Sequence, residues 1–295
     1  MIRVHRLAHA TFETPDLEAQ IDHHQRVLGL TLVQRDGAAA YFATSGDHHT
    51  IVLKKGIEAR CIGLGFQLGD EGDLDGFARQ TAEHGTTVHR LSDSQPAISD
   101  LLQFEDTQGT KIEVFRDHTP TGKGYARSGI VANKLGHVAF SVTDVRTAVN
   151  FYCNVLGFRE SDWMADFFAF LRCSPDHHTI NFVNGARSKI HHLAFELRDW
   201  GHVKDACDVL AEDRIPLAWG PVRHGIGHNI AIYHRNPDGI IVEHFTELDR
   251  IHDEGLGILE PRRTHQEFPQ KGKVWADIPL AANMWGSMPP ADFLE

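Results

Sequence analysis

A chain of 295 residues with 41% hydrophobic side chains has room for two domains of ordinary size, each with its own core. Its formal net charge of −11 argues against a nucleic-acid partner, whose phosphates ask for clustered Lys and Arg. No apolar run reaches bilayer length and no secretory apolar stretch follows Met1; Cys61, Cys153, Cys173 and Cys207 lack CxxC spacing, so a cytoplasmic protein with reduced thiols and no membrane partner is expected.

The first predicted element is an alternating strand within LAHATFETPD (Leu7–Asp16), and its phrase returns as LGHVAFSVTD (Leu135–Asp144). The register runs without a gap through Val27-Leu28-Gly29-Leu30 against Val155-Leu156-Gly157-Phe158. Asp47-His48-His49 then answers Asp176-His177-His178, Ile62–Phe66 answers His191–Phe195, and Gln108–Glu113 answers Asp238–Glu243. Two homologous domains follow, at 1–120 and 131–250. Within the second, the opening strand recurs as IHHLAFELRD (Ile190–Asp199), so each domain divides into two smaller modules.

Each module reads as strand, helix, then further strands. Asp144 suits an N-cap, and Val145, Ala148, Val149, Tyr152, Val155 and Leu156 follow at helical spacing. Gly157 can take the left-handed turn that ends the helix. In the strand before it, Val138, Phe140 and Val142 face the helix, while His137, Ala139 and Ser141 face a concave interior. The second copy sets Leu193, Phe195 and Leu197 against His192, Ala194 and Glu196. Alanine beside each histidine leaves volume for a ligand. Residues 251–295 lie outside the repeat. Pro261, Pro269, Pro279, Pro289 and Pro290 break regular structure there, while Trp275, Met284 and Trp285 predict a tail that packs on the second domain or on a neighbouring subunit.

His137 and His192 thus occupy matching places, and Glu243 closes a third strand-like run, Gly239–Phe245. Two imidazoles and one carboxylate form a facial set that suits non-haem Fe(II), because adjacent metal positions stay open; Mn(II) accepts the same ligands. His191 precedes a ligand and, on a regular strand, points to the opposite face; it is read as supporting the ligand or as structural. The first domain keeps His9 and Glu113 but has Gly63 at the middle place, which predicts no functional metal there.

These residues join a wider pattern, Val222-Arg223-His224, then Ile232-Tyr233-His234-Arg235-Asn236-Pro237-Asp238-Gly239, then Glu243. With it, residues 5–250 resemble the two-domain type I extradiol ring-cleavage dioxygenases, similar to catechol 2,3-dioxygenases, of the vicinal oxygen chelate superfamily. The resemblance implies an α+β fold in which each domain is two βαβββ modules forming an open barrel. It implies meta cleavage of a catechol by O2 in aromatic compound degradation, with Fe(II) held by His137, His192 and Glu243. His178, 14 residues before His192, takes the family's acid/base place; His224 and Tyr233 take that of its hydrogen-bonding pair. A homo-oligomer is expected, most often a tetramer.

Around this set, His49 is read as structural, Pro237-Asp238-Gly239 as a turn, and His228, His234 and His244 as bystanders. Trp163, Phe167, Phe168 and Phe170 either wall the substrate ring or belong to the core. Trp219 stands where members that take acidic catechols often present Arg, which favours an uncharged catechol; Arg223 and Arg235 are the remaining candidates for a counter-charge. Two rival readings stay open. One is another metalloenzyme of the superfamily, glyoxalase-type or 4-hydroxyphenylpyruvate dioxygenase-like. The other is a metal-free small-molecule binding module.

Overall fold

The computed structural model describes residues 1–44, 46–69, 72–121, 124, 126–252 and 272–293. The first module runs β1 (Val4–Thr14), α1 (Leu17–Asp22) with a π-helical turn (His23–Val27), β2 (Thr31–Arg35), β3 (Ala39–Ala43) and β4 (Ile51–Lys55). The second runs β5 (Arg60–Leu68), α2 (Leu74–Glu83), β6 (His89–Gln95), β7 (Ile98–Glu105) and β8 (Lys111–Phe115). Their strands share one sheet, ordered β2-β3-β4-β1-β5-β8-β7-β6. The opening strands β1 and β5 pair antiparallel at its centre, and each pairs parallel with the last strand of its own module.

The second domain repeats the plan. Its third module is β9 (Lys134–Val142), α3 (Val145–Val155), β10 (Arg159–Met164), β11 (Phe168–Arg172) and β12 (Ile180–Asn184). The fourth is β13 (Lys189–Glu196), α4 (Trp200–Glu212), β14 (Leu217–Arg223), β15 (Ile230–Arg235) and β16 (Ile241–Thr246). The order β14-β15-β16-β13-β9-β12-β11-β10 again puts the opening strands at the centre. The fold is α+β, two repeated domains whose sheets curl into open half-barrels.

Local chemistry explains these elements. The Asp144 carboxylate accepts from the Thr147 backbone N–H at 3.1 Å and starts α3. Val145, Ala148, Val149, Tyr152 and Val155 form its buried stripe. Gly157 ends it at φ +77°, where a Cβ would also lie 2.6 Å from Arg3 Cγ, so only glycine fits without strain. Strand β9 is buried on both faces: Val138, Phe140 and Val142 join the core, while His137 and Ala139 face the barrel interior. That core runs through both domains. The buried Tyr152 hydroxyl crosses between them to donate to Asp106 at 2.9 Å.

Among the described tail residues, β17 (Val274–Trp275) adds in parallel to the edge strand β10, and α5 (Ile278–Ala282) follows. An edge that would otherwise present unpaired backbone groups is covered. Pro261 and Pro269 lie outside the described residues; Pro279, Pro289 and Pro290 fall within or after α5. No helix among the described residues is long and apolar enough to cross a membrane.

Candidate metal centre

Three adjacent central strands converge on one point inside the second barrel. His137 comes from β9, His192 from β13 and Glu243 from β16, and one ligand atom of each lies within 4.8 Å of the others. His137 Nε2 is 3.2 Å from His192 Nε2 and 3.0 Å from Glu243 Oε2; His192 Nε2 is 3.3 Å from the same oxygen. Cross-strand register makes this possible. Ala139 stands opposite His192 and Ala194 opposite His137, so each imidazole faces a methyl group. All three residues are buried. Burial works to raise the Glu243 carboxyl, but the imidazoles of His137 and His192 outweigh it and hold the group well below the usual carboxylate range. Three lone-pair atoms converging in a buried site fit a divalent cation, which relieves their mutual repulsion.

Outer contacts hold this set. Asn229 Nδ2 donates to Glu243 Oε1 at 3.0 Å and leaves Oε2 to the imidazoles. His191 does not point to the opposite face as regular alternation predicts. A register shift between Ile190 and His192 makes a bulge, and a bulge breaks the alternation of side chains. His191 is buried with its Nδ1 2.6 Å from His192 Nδ1. The same shift occurs between Cys61 and Gly63 in β5, so it belongs to the repeated fold.

A cavity of about 180 Å3 opens beside the triad, and His178, His224 and Tyr233 line it. His178 stands with its ring centroid 4.4 Å from that of His137. Burial, with His137 and His177 adding repulsion, holds its pKa well below the ordinary value, so the imidazole is neutral. His178 Nδ1 is 3.0 Å from His177 Nδ1, and His177 Nε2 is 3.4 Å from the Asp162 carboxylate. Gly227, at φ +73°, stands beside both rings, where a Cβ would lie 3.2 Å from His178 Cε1 and 3.3 Å from His177 Nδ1. On the other side, His224 Nδ1–H donates to the Ala282 carbonyl at 2.7 Å, so its Nε2 accepts from the Tyr233 hydroxyl at 2.7 Å. Burial, with Glu243 nearby, keeps that phenol protonated.

The remaining walls are apolar. Phe167, Phe168 and Phe170 line the cavity, with Phe168 and Phe170 stacked at 4.5 Å. Trp163 instead packs in the core, under the Arg146 guanidinium. Trp219 lines the cavity and stacks on Tyr233 at 5.1 Å. Tail residues Ile278, Ala281, Met288 and Phe293 complete the lining. Neither arginine proposed as a counter-charge lines it. Arg223 donates to the His228 carbonyl and to Glu247, and Arg235 donates to the Gly239 carbonyl near Asp292. The histidines read as bystanders lie elsewhere: His228 pairs with Asp249 at 2.5 Å, and His234 meets His23 of the first domain at 3.1 Å. A larger groove of about 720 Å3 runs behind His191 between the domains, but its lining is open and of mixed charge and does not include the triad.

The first barrel differs at its centre. His9 Nε2 contacts Glu113 at 3.0 Å, and Gln95 and Gln103 donate to the same carboxylate. Gly63 supplies no third ligand, and the cavity beside His9 and His49 is only about 10 Å3.

Sequence comparison identifies related chains. The model of the Glyoxalase/Bleomycin resistance protein/Dioxygenase superfamily matches residues 6–114 and 134–244. A metapyrocatechase from Pseudomonas sp. (strain CF600) is 24% identical over 257 residues, covering 80% of this chain and 84% of that one. An iron-dependent extradiol dioxygenase from Rhodococcus jostii (strain RHA1) is 25% identical over 277 residues, covering 85% and 92%. Among solved structures, the Mn(II)-bound glyoxalase from Novosphingobium aromaticivorans superposes with a TM-score of 0.85 at 25% identity, over 98% of this chain and 94% of that one.

Proposed function

The chain belongs to the Glyoxalase/Bleomycin resistance protein/Dioxygenase superfamily, and within it we propose an extradiol dioxygenase that opens a catechol ring beside its diol with O2. Fe(II) is the proposed metal and Mn(II) the alternative; relatives described as iron-dependent and Mn(II)-bound support both. The observation that carries the reading is the convergence of His137, His192 and Glu243 on a cavity shared with His178 and the His224–Tyr233 pair.

Fe(II) held by His137, His192 and Glu243 would supply the electron exchange between a diol and O2 that removes the spin barrier to their direct reaction. The chain's own groups do the rest. His178, neutral and held through Nδ1 by His177, keeps Nε2 for the substrate side, where it hydrogen-bonds and transfers the proton that the reaction moves. Tyr233 and His224 share one proton beside the site, and it can shift toward charge that develops on a substrate oxygen. The aromatic and tail walls exclude water, which strengthens these interactions. The same walls favour a neutral, apolar catechol. A substrate carboxylate would be desolvated against phenylalanine and methionine, with Arg223 and Arg235 engaged elsewhere.

The test is aerobic turnover after anaerobic loading with Fe(II). Catechol and 4-methylcatechol should give a yellow ring-opened product with one O2 consumed per ring, and 3,4-dihydroxybenzoate should react far more slowly. Absence of oxygen uptake with every catechol would refute ring cleavage. Conversion of a 2-oxoaldehyde–thiol adduct without oxygen would establish the glyoxalase-type alternative instead.

A further inference from the structure

The two metal-facing imidazoles are held differently. His137 Nδ1 is buried and has no hydrogen-bond partner among the described residues. His192 Nδ1 has one at 2.6 Å, the Nδ1 of His191. His191 Nε2 in turn lies 2.7 Å from the backbone carbonyl of Phe293, in the C-terminal segment. A carbonyl only accepts, so His191 carries its proton on Nε2 and offers a lone pair at Nδ1. His192 must then donate from Nδ1, which leaves the lone pair of its Nε2 directed at Glu243 and His137. One chain of hydrogen bonds therefore fixes the tautomer that a cation needs.

We propose that His191 is a positioning residue that couples the seating of the C-terminal segment to metal binding, through the relay Phe293 carbonyl, His191, His192. The inference rests on the metal reading of the triad. Two further observations support it. Phe293 is itself anchored at the site, with its ring 4.8 Å from Trp219, 5.0 Å from Tyr233 and 5.3 Å from His191. The first domain provides a control: its equivalent bulge position is Ile62, which can relay nothing, and the next residue is Gly63, which needs no orienting. Partners that orient a ligand in this way typically change metal affinity by roughly 10–100-fold when removed. Coupling is reciprocal, so a bound cation must also steady the segment.

Mn(II) is the probe, titrated anaerobically into the full-length protein against a competing chelator. Amide hydrogen exchange over residues 272–293 is followed with and without the ion. His191→Phe should weaken Mn(II) binding by roughly 10–100-fold and abolish the metal's effect on exchange. His191→Gln, whose amide can both accept and donate, should bind within about threefold of the parent, a rescue that a merely space-filling role would not require. Phe293→Ala keeps the backbone carbonyl and removes the ring that anchors it on Trp219 and Tyr233; it should weaken binding severalfold and carries the test if His191→Phe fails to fold. Parental affinity in either His191→Phe or Phe293→Ala would overturn the proposal, as would exchange in the parent that ignores Mn(II). A parent protein that binds no Mn(II) in a Glu243-dependent manner would instead overturn the metal reading, and this inference with it.

Discussion

The junction between the domains should be acid-labile, and the structure gives the size of the effect. His23 and His24 sit on the π-helical turn at 4% and 2% exposure. His23 Nε2 meets His234 of β15 at 3.1 Å, and His24 Nδ1 donates to the Gln20 carbonyl at 2.8 Å. Burial, with His24, His234 and Arg26 adding repulsion, pushes His23 down to about 2; burial alone, opposed by the Gln20 carbonyl, takes His24 to about 4. Both imidazoles are neutral in the fold at pH 5, whereas in the unfolded chain they titrate near pH 6.5. The unfolded state therefore binds more protons below pH 6.5. The stability that depends on their neutrality is complete above that pH and is lost as pH falls toward the depressed values, at about 1.4 kcal/mol per pH unit for each group. Between pH 7.5 and 5.0 each loses about 2 kcal/mol, together about 4 kcal/mol, against a total of about 5–15 kcal/mol for typical proteins. Urea unfolding of the parent and of a His23→Gln/His24→Gln variant at the two pH values isolates this amount. The variant should be weaker at pH 7.5, where it has lost contacts, yet lose about 4 kcal/mol less on acidification. His49, also pushed down to about 2, is present in both proteins and drops out of the difference. Parallel pH dependences would refute the reasoning.

Three predictions concern the metal centre. Glu243→Ala should abolish both metal content and ring cleavage, checked by elemental analysis and oxygen uptake; a loaded, active variant would remove Glu243 from the ligand set. His178→Ala should retain iron while turnover falls by roughly two to four orders of magnitude, the usual range for a positioned acid/base, checked by steady-state kinetics on protein of measured iron content. His9→Ala should leave the metal content of the chain unchanged, because the described residues of the first barrel bring together two candidate ligands, His9 and Glu113, and no third; a fall by half would place a second ion there.

The sequence made the framework legible because its repeat is explicit. Aligning His137 with His192 required only that each open the same phrase, and a strand period of two then placed both on one face. The direction in which His191 points was illegible for the converse reason. A bulge is a relation between paired strands, and nothing in Ile190-His191-His192 announces one. Asn229, His177 and Asp162 were missed because their roles depend on partners distant in sequence: Asn229 donates to Glu243, and Asp162 accepts from the backbone of Lys273 and the indole of Trp275 as well as facing His177. The aromatic cluster was legible as a cluster only. Its division into cavity wall (Phe167, Phe168, Phe170) and core (Trp163) depends on how β10 and β11 pair, which composition does not encode.

The difference between the two barrels comes down to very small changes in side-chain volume. His9 is paired across the sheet with Gly65, as His137 is with Ala194. A Cβ built on Gly65 would lie 2.1 Å from His9 Cε1, so the His9 ring occupies the space that a methyl group would fill. At the equivalent place in the second barrel Ala194 has that methyl group, and the His137 ring must stand clear of it, toward His192 and Glu243. Glycine at 63 removes the imidazole that His192 presents in the second barrel, and Gln95 and Gln103 satisfy the Glu113 carboxylate. Each change is cheap for the fold, since the sheet register and the bulge survive in both halves. The proposed chemistry therefore depends on a histidine, a methyl group and an uncommitted carboxylate placed on a scaffold that holds its shape without them.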